Sequence, residues 1–415
     1  MATQKIKPQT LKGFRDFLPE EKRKRDFAVE KIRQTFELFG FEPLETPALE
    51  YAETLLGKYG DEADKLMYLF EDRGKRKVGM RYDQTVPLAR LVAQYSDLPK
   101  PFKRYQIQPV WRSDNPQSGR YREFLQCDID IVGASSSLSD AEIIACTLEA
   151  FKKLGFKNAT MRINDRSIFD DLGLTKTAII TLDKLEKIGK EKVIKELQQK
   201  NFQEADKIFA SLETSQKNSR LNEIFSVLTS YGFTEGRDFV FDPFLARGLE
   251  YYTSTIFELK VNEYKTGSLA GGGRYDKLIG QFIGVETPAT GIAFGFDRII
   301  NAMEELKLFP QSVSDSSTDV LVTIFNEGLL NDSVKVVNEL RKTGINSEIY
   351  DKASIKLDKQ LKYADRKGIQ YVIIVGPEEI KKNVIKLKNM KTGEQKELTI
   401  NQLINLLCKS IRTSQ

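Results

Sequence analysis

Two neighbouring segments of the chain carry polar side chains at every second position: FKRYQIQPVWR, residues 102–112, and REFLQCDIDIV, residues 122–132. Successive side chains of a β-strand point to opposite faces, so each segment predicts a strand with one apolar and one polar face. The mostly polar face carries Arg104, Gln106, Gln108 and Arg112 in the first segment, and Arg122, Phe124, Gln126, Asp128 and Asp130 in the second. Arginine and glutamine without lysine favour a ligand-binding floor. A solvent-facing sheet surface is the alternative that this pattern leaves open.

The chain contains no histidine and three cysteines, Cys127, Cys146 and Cys408. Without imidazole, Ser–His, Cys–His and zinc-hydrolase chemistry lose their usual partner. The cysteines lack the spacing of a metal site, and a sparse odd number fits a reducing cytosol. Chemistry must therefore run on carboxylates, arginines, backbone amides and a bound metal ion.

Bulk composition is that of a globular protein with two or three domains. Hydrophobic residues make up 40% and charged residues 30% of the 415 positions, and the net charge is +5. This charge is compatible with a nucleic-acid partner but does not indicate one. There is no run of roughly 20 apolar residues for a membrane helix, and MATQKIKPQT lacks the apolar core of a secretion signal. We expect a cytoplasmic protein with no membrane partner.

The elements around the two polar strands have mixed character. Apolar residues at helical spacing predict helices over residues 20–38 and 139–154. Residues 41–49 contain Pro43 and Pro47, which suggests an extended edge element. Sheet character returns at 238–261, then a glycine-rich turn at 268–275 and an apolar helix start near Gly295. Helices of leucine and isoleucine among lysine and glutamate span about 175–228, as an insertion.

The C-terminal part has a different pattern. FPQSVSDSSTD, residues 309–319, reads as a Pro/Ser-rich linker. After it, the apolar runs DVLVTIF and YVIIVG alternate with a helical segment at 329–343 and an extended NSEIYD. Strands that alternate with helices predict a small α/β domain with a mostly parallel sheet.

Four segments, taken together and in this order, resemble the histidyl-tRNA synthetase family of class II aminoacyl-tRNA synthetases. GFEPLETPALE resembles motif 1, VWRSDNPQSGRYREFLQCDIDI motif 2, and GIAFGFDRII motif 3. The fourth segment has two parts, LARGLEYYTSTIFE and AGGGRYDKLIG, and these are typical of the histidine enzymes. MRYDQTVPLAR belongs to the same resemblance, which covers nearly the whole chain.

The resemblance implies a fold and a division into domains. Residues 1–310 would form an α+β catalytic domain on an antiparallel sheet, the class II synthetase fold, with a helical insertion at about 168–232. Residues 311–319 would be the linker, and residues 320–415 a C-terminal α/β anticodon-binding domain. The activity implied is ATP-dependent ligation of histidine to tRNA(His) through histidyl-adenylate.

The resemblance also assigns an ATP site. Arg112 would grip the α-phosphate and the substrate carboxylate, Arg247 would lie beside the α-phosphate, and both would be catalytic. Arg298 would hold the γ-phosphate, Arg120 would also bind ATP, and Phe124 would stack on adenine. Guanidinium groups make bidentate bonds to phosphate, and an aromatic face suits a nucleobase. Mg²⁺ would accompany ATP with protein ligands that are unknown, and no zinc or organic cofactor is expected.

Histidine recognition is assigned to a second group of side chains. Asp83, Thr85 and Gln126 would hold the α-amino group. Asp130 and Tyr252 would read the two imidazole nitrogens. Arg247 would also contact the amino acid, and Tyr275 would close the pocket. Asp83 and Asp130 stand where glutamate is common in bacterial relatives, so each keeps the charge on a shorter arm.

The remaining partners implied are tRNA and a second copy of the chain. Gln117 in the motif 2 loop would meet the acceptor end of the tRNA. Lys362 and Arg366, in QLKYADRKGIQYVIIVG, would contact tRNA phosphates, although solvated lysines are the simpler reading of such a segment. Motif 1 would form a homodimer interface.

Three other classes of protein stay open at this stage. One is a non-catalytic paralogue of the synthetase that regulates histidine biosynthesis, which lacks the anticodon domain and parts of the ATP site. The second is another class II synthetase with a similar C-terminal domain, which RGLEYYT disfavours. The third is a stand-alone tRNA-binding module, which needs neither an adenine-stacking residue nor a phosphate-binding arginine.

Overall fold

The structure is a computed structural model, and it describes residues 6–58, 64–116, 119–200, 202, 204–248, 251–314 and 316–412. The chain divides into two compact units. The first contains the described residues up to Phe17 together with Arg25–Leu308, and the second contains Leu18–Lys24 together with the residues from Phe309 onwards.

The described part of the chain folds into alternating groups of strands and helices. The strands are β1 (Glu42–Pro43), β2 (Leu49–Tyr51), β3 (Leu69–Glu71), β4 (Lys77–Met80), β5 (Phe102–Trp111), β6 (Glu123–Val132), β7 (Ala159–Asp165), β8 (Phe239–Phe241), β9 (Thr255–Val261), β10 (Ala270–Arg274), β11 (Ala289–Gly295), β12 (Val320–Val322), β13 (Ser347–Ile349), β14 (Tyr371–Ile374), β15 (Ile385–Asn389) and β16 (Gln395–Leu398). The helices are α1 (Pro19–Leu38), α2 (Ala52–Leu55), α3 (Thr85–Gln94), α4 (Ser137–Lys153), α5 (Arg166–Asp171), α6 (Lys176–Leu182), α7 (Leu185–Ile188), α8 (Lys190–Gln199), α9 (Ala205–Glu213), α10 (Ser219–Ser230), α11 (Gly280–Ile283), α12 (Phe296–Glu305), α13 (Gln311–Ser314), a 3₁₀ turn (Glu327–Leu329), α14 (Leu330–Lys342), α15 (Leu357–Lys367), α16 (Pro377–Lys381) and α17 (Ile400–Arg412).

The first unit is built on an eight-stranded sheet in the order β1-β5-β6-β11-β10-β9-β7-β8. Only the edge pairs β1/β5 and β7/β8 are parallel, and the strands between them are antiparallel. The predicted β-hairpin is confirmed, because β5 pairs with β6 from Phe102 opposite Val132 to Trp111 opposite Glu123. The antiparallel sheet expected for the first domain is confirmed.

One face of the large sheet is the hydrophobic core. Cys127 and Ile129 of β6 are fully buried there. Phe294 of β11 packs its ring against Phe36 of α1 and Phe151 of α4, with ring centroids 5.3 Å and 5.4 Å apart. The period-two alternation therefore places the apolar residues of each strand under helices and leaves the polar residues on the opposite face.

The second unit has a five-stranded sheet in the order β13-β12-β14-β15-β16. Alternate residues of β12 enter different cores: Val320 packs with Leu340 and Leu403, whereas Leu321 packs with Ala364 on the other face. A sheet that is covered by helices on both faces explains why DVLVTIF and YVIIVG are continuous apolar runs.

Three expectations about local structure were wrong. Residues 268–275 are not a turn, because Gly271–Gly273 lie inside β10. The stretch 238–261 is not continuous sheet, since described residues between β8 and β9 are irregular. The C-terminal sheet is mixed rather than mostly parallel, because β14/β15 and β15/β16 are antiparallel. The lysine-rich alternation of β15 and β16 was not read as strands.

The structure adds detail at two of the expected boundaries. The proposed linker, residues 311–319, begins with the single helical turn α13. The proposed insertion corresponds to a run of short helices, of which α5 starts at Arg166 and α10 ends at Ser230.

Within the described residues, no helix combines the length and the apolar character that crossing a bilayer requires.

A side chain at Gly272 should disrupt the large sheet. A Cβ atom at this position would lie 2.1 Å from the carbonyl oxygen of Gly291, across the β10/β11 pair. We expect Gly272→Ala to lower the free energy of unfolding by about 3 kcal/mol, because backbone cannot yield as a flexible side chain can. Thermal and urea unfolding measure this. Gly328→Ala is the control, since its nearest contact would be an ordinary 3.4 Å. Equal stability of both variants would contradict the packing described for β10.

Candidate active site

The polar face of the large sheet contains a strip with almost no side chains. Across β6, β11 and β10, Asp128 pairs with Ala293 and Ala293 with Gly271. In the next row, Asp130 pairs with Gly291 and Gly291 with Gly273. Cross-strand partners point to the same face, and Gly295 opposite Gln126 extends the strip. We call the five positions Gly271, Gly273, Gly291, Ala293 and Gly295 the small-residue trough.

Glycine is required in the trough because other side chains lie directly over it. A Cβ atom at Gly271 would be 2.5 Å from Nη1 of Arg247, and one at Gly273 would be 2.8 Å from the Tyr252 ring. At Gly291 it would overlap the Asp130 carboxylate, 1.9 Å away. The glycines thus bring Arg247, Tyr252 and Asp130 down onto the sheet, where backbone can approach a ligand closely.

The predicted amino-group site lies where β6 meets the start of α3. Oδ1 of Asp83 accepts hydrogen bonds from the backbone N–H groups of Thr85 and Val86, both at 3.1 Å, and so caps α3. The side chain of Gln84 donates to the backbone oxygen of Gln126 at 3.2 Å, which ties this helix start to β6. The structure therefore brings Asp83, Thr85 and Gln126 together.

Three of the predicted phosphate-binding arginines lie in one region, because the charges of Arg112 and Arg120 both act on Tyr82, and that of Arg120 also acts on Arg298. Arg112 lies with its guanidinium carbon 4.3 Å from the Tyr82 ring centroid and 5.1 Å from that of Phe124. Arg298, in the first turn of α12, donates to the backbone oxygen of Ser268 at 3.1 Å. Burial lowers the pKa of Arg298, and the positive charge of the exposed Arg120 lowers it further. Two guanidinium groups that repel each other suit a polyanion.

Arg247 is held from several sides. Nη1 lies 3.3 Å from Oε1 of Glu258 on β9. Burial works against its charge, but Tyr252, Glu258 and Asp183 outweigh this effect and raise the pKa of Arg247. Arg247 therefore keeps a full positive charge beside the trough. It also lowers the pKa of Arg298, so these two side chains belong to one electrostatic site.

Asp130, opposite Gly291 of the trough, forms a buried ion pair. Its Oδ2 is 2.6 Å from Nη2 of Arg104, whose side chain is fully buried. Its Oδ1 accepts a hydrogen bond from the Tyr275 hydroxyl. Burial raises the pKa of Asp130, although Arg104 and Tyr275 both oppose the shift. Tyr275 is fixed in turn by packing against Tyr251, with ring centroids 6.0 Å apart.

Four charged residues of this region were missed by sequence reasoning as site residues: Arg104, Asp128, Asp183 and Glu258. Asp128 lies between Gln126 and Asp130 on β6 and is 1% exposed. Burial, together with Asp130 and Asp83, raises the pKa of Asp128 to about 8, against the effects of Arg104 and Gln126. The alternation already grouped Asp128 and Arg104 on the polar face, but nothing in the sequence marked Asp183 or Glu258.

The site therefore has two parts of opposite charge. Carboxylates dominate around β6 and the start of α3, and guanidinium groups dominate around Arg112, Arg120, Arg247 and Arg298. This arrangement can hold a small cation next to a polyanion. Within the part of the chain that the structure describes, no three acidic or thiol side chains gather as a metal-binding group.

Two of the predicted tRNA contacts lie in the second unit. Lys362 and Arg366 are exposed on α15 of the second unit, four residues apart and so on one face of the helix. Neighbouring Lys367 is less available, because it pairs with Glu348 and Tyr363. Gln117 lies outside the described residues.

Comparison with known proteins gives consistent matches over both units. The family model described as histidyl-tRNA synthetase matches residues 13–299, and that of the anticodon binding domain matches residues 319–410. The histidine–tRNA ligase of Cytophaga hutchinsonii is 39% identical over 97% of this chain and 99% of its own length. That of Christiangramia forsetii is 40% identical over the same shares.

A solved structure agrees with this result. The crystal structure of histidyl-tRNA synthetase from Nostoc sp. PCC 7120 superposes with a TM-score of 0.83 at 30% identity, and covers 98% of this chain and 100% of that one. The sequence matches extend over both units and the fold is shared from end to end, so this chain belongs to the histidyl-tRNA synthetase family.

Proposed function

We propose that this chain ligates histidine to tRNA(His) in two steps, with the small-residue trough holding histidine and ATP side by side. The observation that carries the proposal is the meeting of two sets of side chains around the trough. Asp83, Gln126 and Asp130 offer acceptors to a cationic amino acid, and Arg112 and Arg247 offer donors to phosphate. Such a pairing is what adenylation of an amino acid requires.

In the first step, a carboxylate oxygen of histidine attacks the α-phosphorus of ATP. A new P–O bond forms, the bond to the β-phosphate oxygen breaks, and pyrophosphate leaves. Arg112 and Arg247 stabilise the charge that builds up on the α-phosphate oxygens, and they do so from fixed positions. ATP enters as its magnesium complex, which is the substrate. Arg298 and Arg120 bind the β- and γ-phosphates, and Phe124 stacks on adenine.

Histidine is recognised at both of its ends. Asp83, Thr85 and Gln126 accept hydrogen bonds from the α-ammonium group or orient it. Asp130 accepts the imidazole N–H, and Tyr275 positions Asp130 through its hydroxyl. Tyr252 offers its hydroxyl to the other imidazole nitrogen. A site built from buried hydrogen-bonding groups can reject analogues that lack them by roughly 10⁴–10⁵-fold.

In the second step, the terminal ribose of the tRNA attacks the histidyl carbonyl. The hydroxyl loses its proton, the C–O bond to the tRNA forms, and the bond to AMP breaks. The chain has no histidine to act as a base. A phosphate oxygen of the adenylate accepts the proton, because it lies next to the reacting carbonyl and needs no protein group. This enzyme works where translation takes place, in the cytoplasm.

The three-stranded sheet β2-β4-β3 supports the proposed homodimer. Tyr51, Val78 and Phe70 are cross-strand neighbours on one face, and Tyr51 and Phe70 are 53% and 46% exposed. Leu49, on the same strand as Tyr51, is 45% exposed. Exposed apolar residues in one contiguous group mark an interaction surface. This surface follows Pro47 of motif 1, so we assign it to the dimer.

Loss of the Arg247 guanidinium should slow adenylation. We expect Arg247→Ala to lower kcat by roughly 10²–10³-fold, because one preorganised donor to the developing oxyanion is removed. Histidine-dependent ATP–pyrophosphate exchange measures this step without tRNA. Arg237→Gln is the control, since the Arg237 side chain is exposed and its guanidinium group pairs with neighbouring Asp238. Near-wild-type exchange in Arg247→Ala would remove this residue from the mechanism.

Two exposed cations of the second unit should affect only the tRNA step. We expect the double variant Lys362→Ala/Arg366→Ala to raise KM for tRNA roughly tenfold and to reduce the slope of log affinity against log salt by about one per lost phosphate contact. Pyrophosphate exchange should be unchanged. Lys335→Ala serves as control, because Lys335 is an exposed cation on α14 of the same unit. An unaltered salt dependence would exclude α15 from the tRNA interface.

A charge on the exposed apolar surface should weaken the dimer. We expect Phe70→Lys to raise the dimer dissociation constant at least roughly tenfold, because a buried ammonium group without a partner opposes association. Sedimentation velocity over a range of concentrations gives this constant. Tyr231→Lys provides the comparison, since Tyr231 is an equally exposed aromatic residue, 46%, at the C-terminal end of α10 and not in the β2-β4-β3 sheet. A dimer of normal affinity in Phe70→Lys would place the interface elsewhere.

A further inference from the structure

Asp128 is a buried carboxylate that none of the steps above uses. It lies in the middle of β6, opposite Gln106 of β5 and Ala293 of β11. Since Ala293 belongs to the small-residue trough, Asp128 stands at the edge of the proposed substrate site. A carboxylate that is 1% exposed is costly to bury unless its charge is compensated. Its neighbours therefore decide what it can do.

The strongest contact of Asp128 is with Gln126. The side-chain nitrogen of Gln126 lies 3.1 Å from both carboxylate oxygens of Asp128. The amide oxygen of Gln126 faces the other way and lies 3.5 Å from Nη2 of Arg112. Once Asp128 is ionised it can only accept, and a guanidinium only donates, so these two neighbours then allow a single orientation of the amide. Asp128 thus makes Gln126 present an acceptor oxygen beside Arg112.

With Asp128 itself counted, three carboxyl groups meet two guanidinium groups in this region. Asp130 lies two residues away on β6, Asp83 faces it from the start of α3, and both raise the pKa of Asp128. Arg104 of β5 lowers the pKa of Asp128, but its guanidinium is paired with Asp130 at 2.6 Å. Arg81, after β4, is the other cation that interacts with Asp128. The region has room for one more positive charge.

We infer that Asp128 is a positioning residue for histidine: it turns the Gln126 carbonyl towards the α-ammonium group and supplies the negative charge that balances this group. The inference rests on the proposed function, because it assumes that the ammonium group binds beside Gln126. When histidine enters, the Asp128 carboxyl loses its proton to solvent and the ammonium keeps its three protons. No covalent bond of histidine changes in this event.

The pH dependence follows from these states. In the free protein the pKa of Asp128 is about 8, so the carboxyl is mostly protonated at neutral pH. The bound ammonium favours the ionised form and lowers this pKa. Histidine affinity therefore rises with pH between the bound and the free pKa values, and it levels off above the free value. The titration of histidine itself is shared by all variants and cancels when they are compared.

The first experiment compares wild type with Asp128→Asn, which keeps the shape but offers Gln126 a donor as well as an acceptor. We expect KM for histidine in pyrophosphate exchange to rise roughly 10- to 100-fold near pH 8, while kcat and KM for ATP stay within about threefold. We also expect the variant to lose most of the rise in affinity with pH. Unchanged KM for histidine, or an equal rise in both KM values, would overturn the inference.

Glu123→Gln is the matched control. Glu123 lies on the same strand, but its carboxylate accepts from Nε1 of Trp111 at 2.7 Å and lies on the opposite face. This variant should keep the wild-type KM and pH profile. Thermal unfolding of each variant verifies that the sheet is intact. A pH profile altered equally in Glu123→Gln would show that the effect is not specific to Asp128.

A second experiment needs neither catalysis nor a folded variant. Calorimetric titration of wild type with histidine, in buffers of different ionisation enthalpy, counts the protons released on binding. We expect release of most of one proton near pH 7, and binding without release would overturn the inference. If the chain bound histidine with release but showed no histidine-dependent exchange, the proposed function would fail while the role of Asp128 in binding would stand.

Discussion

The close approach of side chains to bare backbone in β10 and β11 is the constraint on which the candidate site depends. Arg247 and Tyr252 lie where a Cβ atom of Gly271 or Gly273 would be, and Asp130 lies where one of Gly291 would be. The sheet has to stay continuous through these positions, because β11 and β10 connect β6 with Glu258 on β9. Backbone hydrogen bonds keep the sheet continuous without side chains, so the glycines can leave room for Arg247, Tyr252 and Asp130. The sheet therefore fixes the backbone of the trough, whose own residues contribute no side chain larger than the methyl group of Ala293.

Electrostatics divides this surface into two parts. Burial raises the pKa of Asp128 and Asp130 and lowers that of Arg298. Arg247 is the exception, because three neighbours with negative or polarisable oxygens keep its charge. Groups whose charge is costly in the free protein gain most when a ligand of opposite charge arrives. The cationic amino acid compensates the charge of the carboxylates, and the triphosphate compensates the charge of the arginines. Neither interaction needs an imidazole from the protein.

Strands and helices whose apolar residues recur with a regular period were predicted correctly from the sequence. The hairpin of β5 and β6, the helices α1 and α4 and the buried strands β12 and β14 all follow from alternation or helical spacing of apolar residues. The glycine-rich strand β10 was missed because glycine has no side chain to alternate, and glycine is more common in turns. The hairpin of β15 and β16 was missed because its lysines and glutamates lie at an exposed sheet edge.

The site itself was only partly within reach of the sequence. Arg112, Arg247 and Arg298 come from segments far apart in the chain, and a resemblance to known enzymes, not periodicity, put them together. Alternation placed Asp128 and Arg104 on the polar face, but it could not show that they are only 1% and 0% exposed. The pairing of Tyr275 with Asp130 depends on a contact between residues 145 positions apart. Such contacts are set by the sheet order, which local patterns do not contain.

A crystal structure with a non-hydrolysable analogue of histidyl-adenylate would test the central claim most directly. We expect the group that replaces the α-phosphate to lie over Gly271, roughly 3 Å from the guanidinium groups of Arg112 and Arg247, which is hydrogen-bonding distance. We also expect the ammonium group to lie beside the Gln126 oxygen and the imidazole to lie against Asp130. An analogue bound away from the small-residue trough, or reversed so that its ammonium group faced the arginines, would contradict the account.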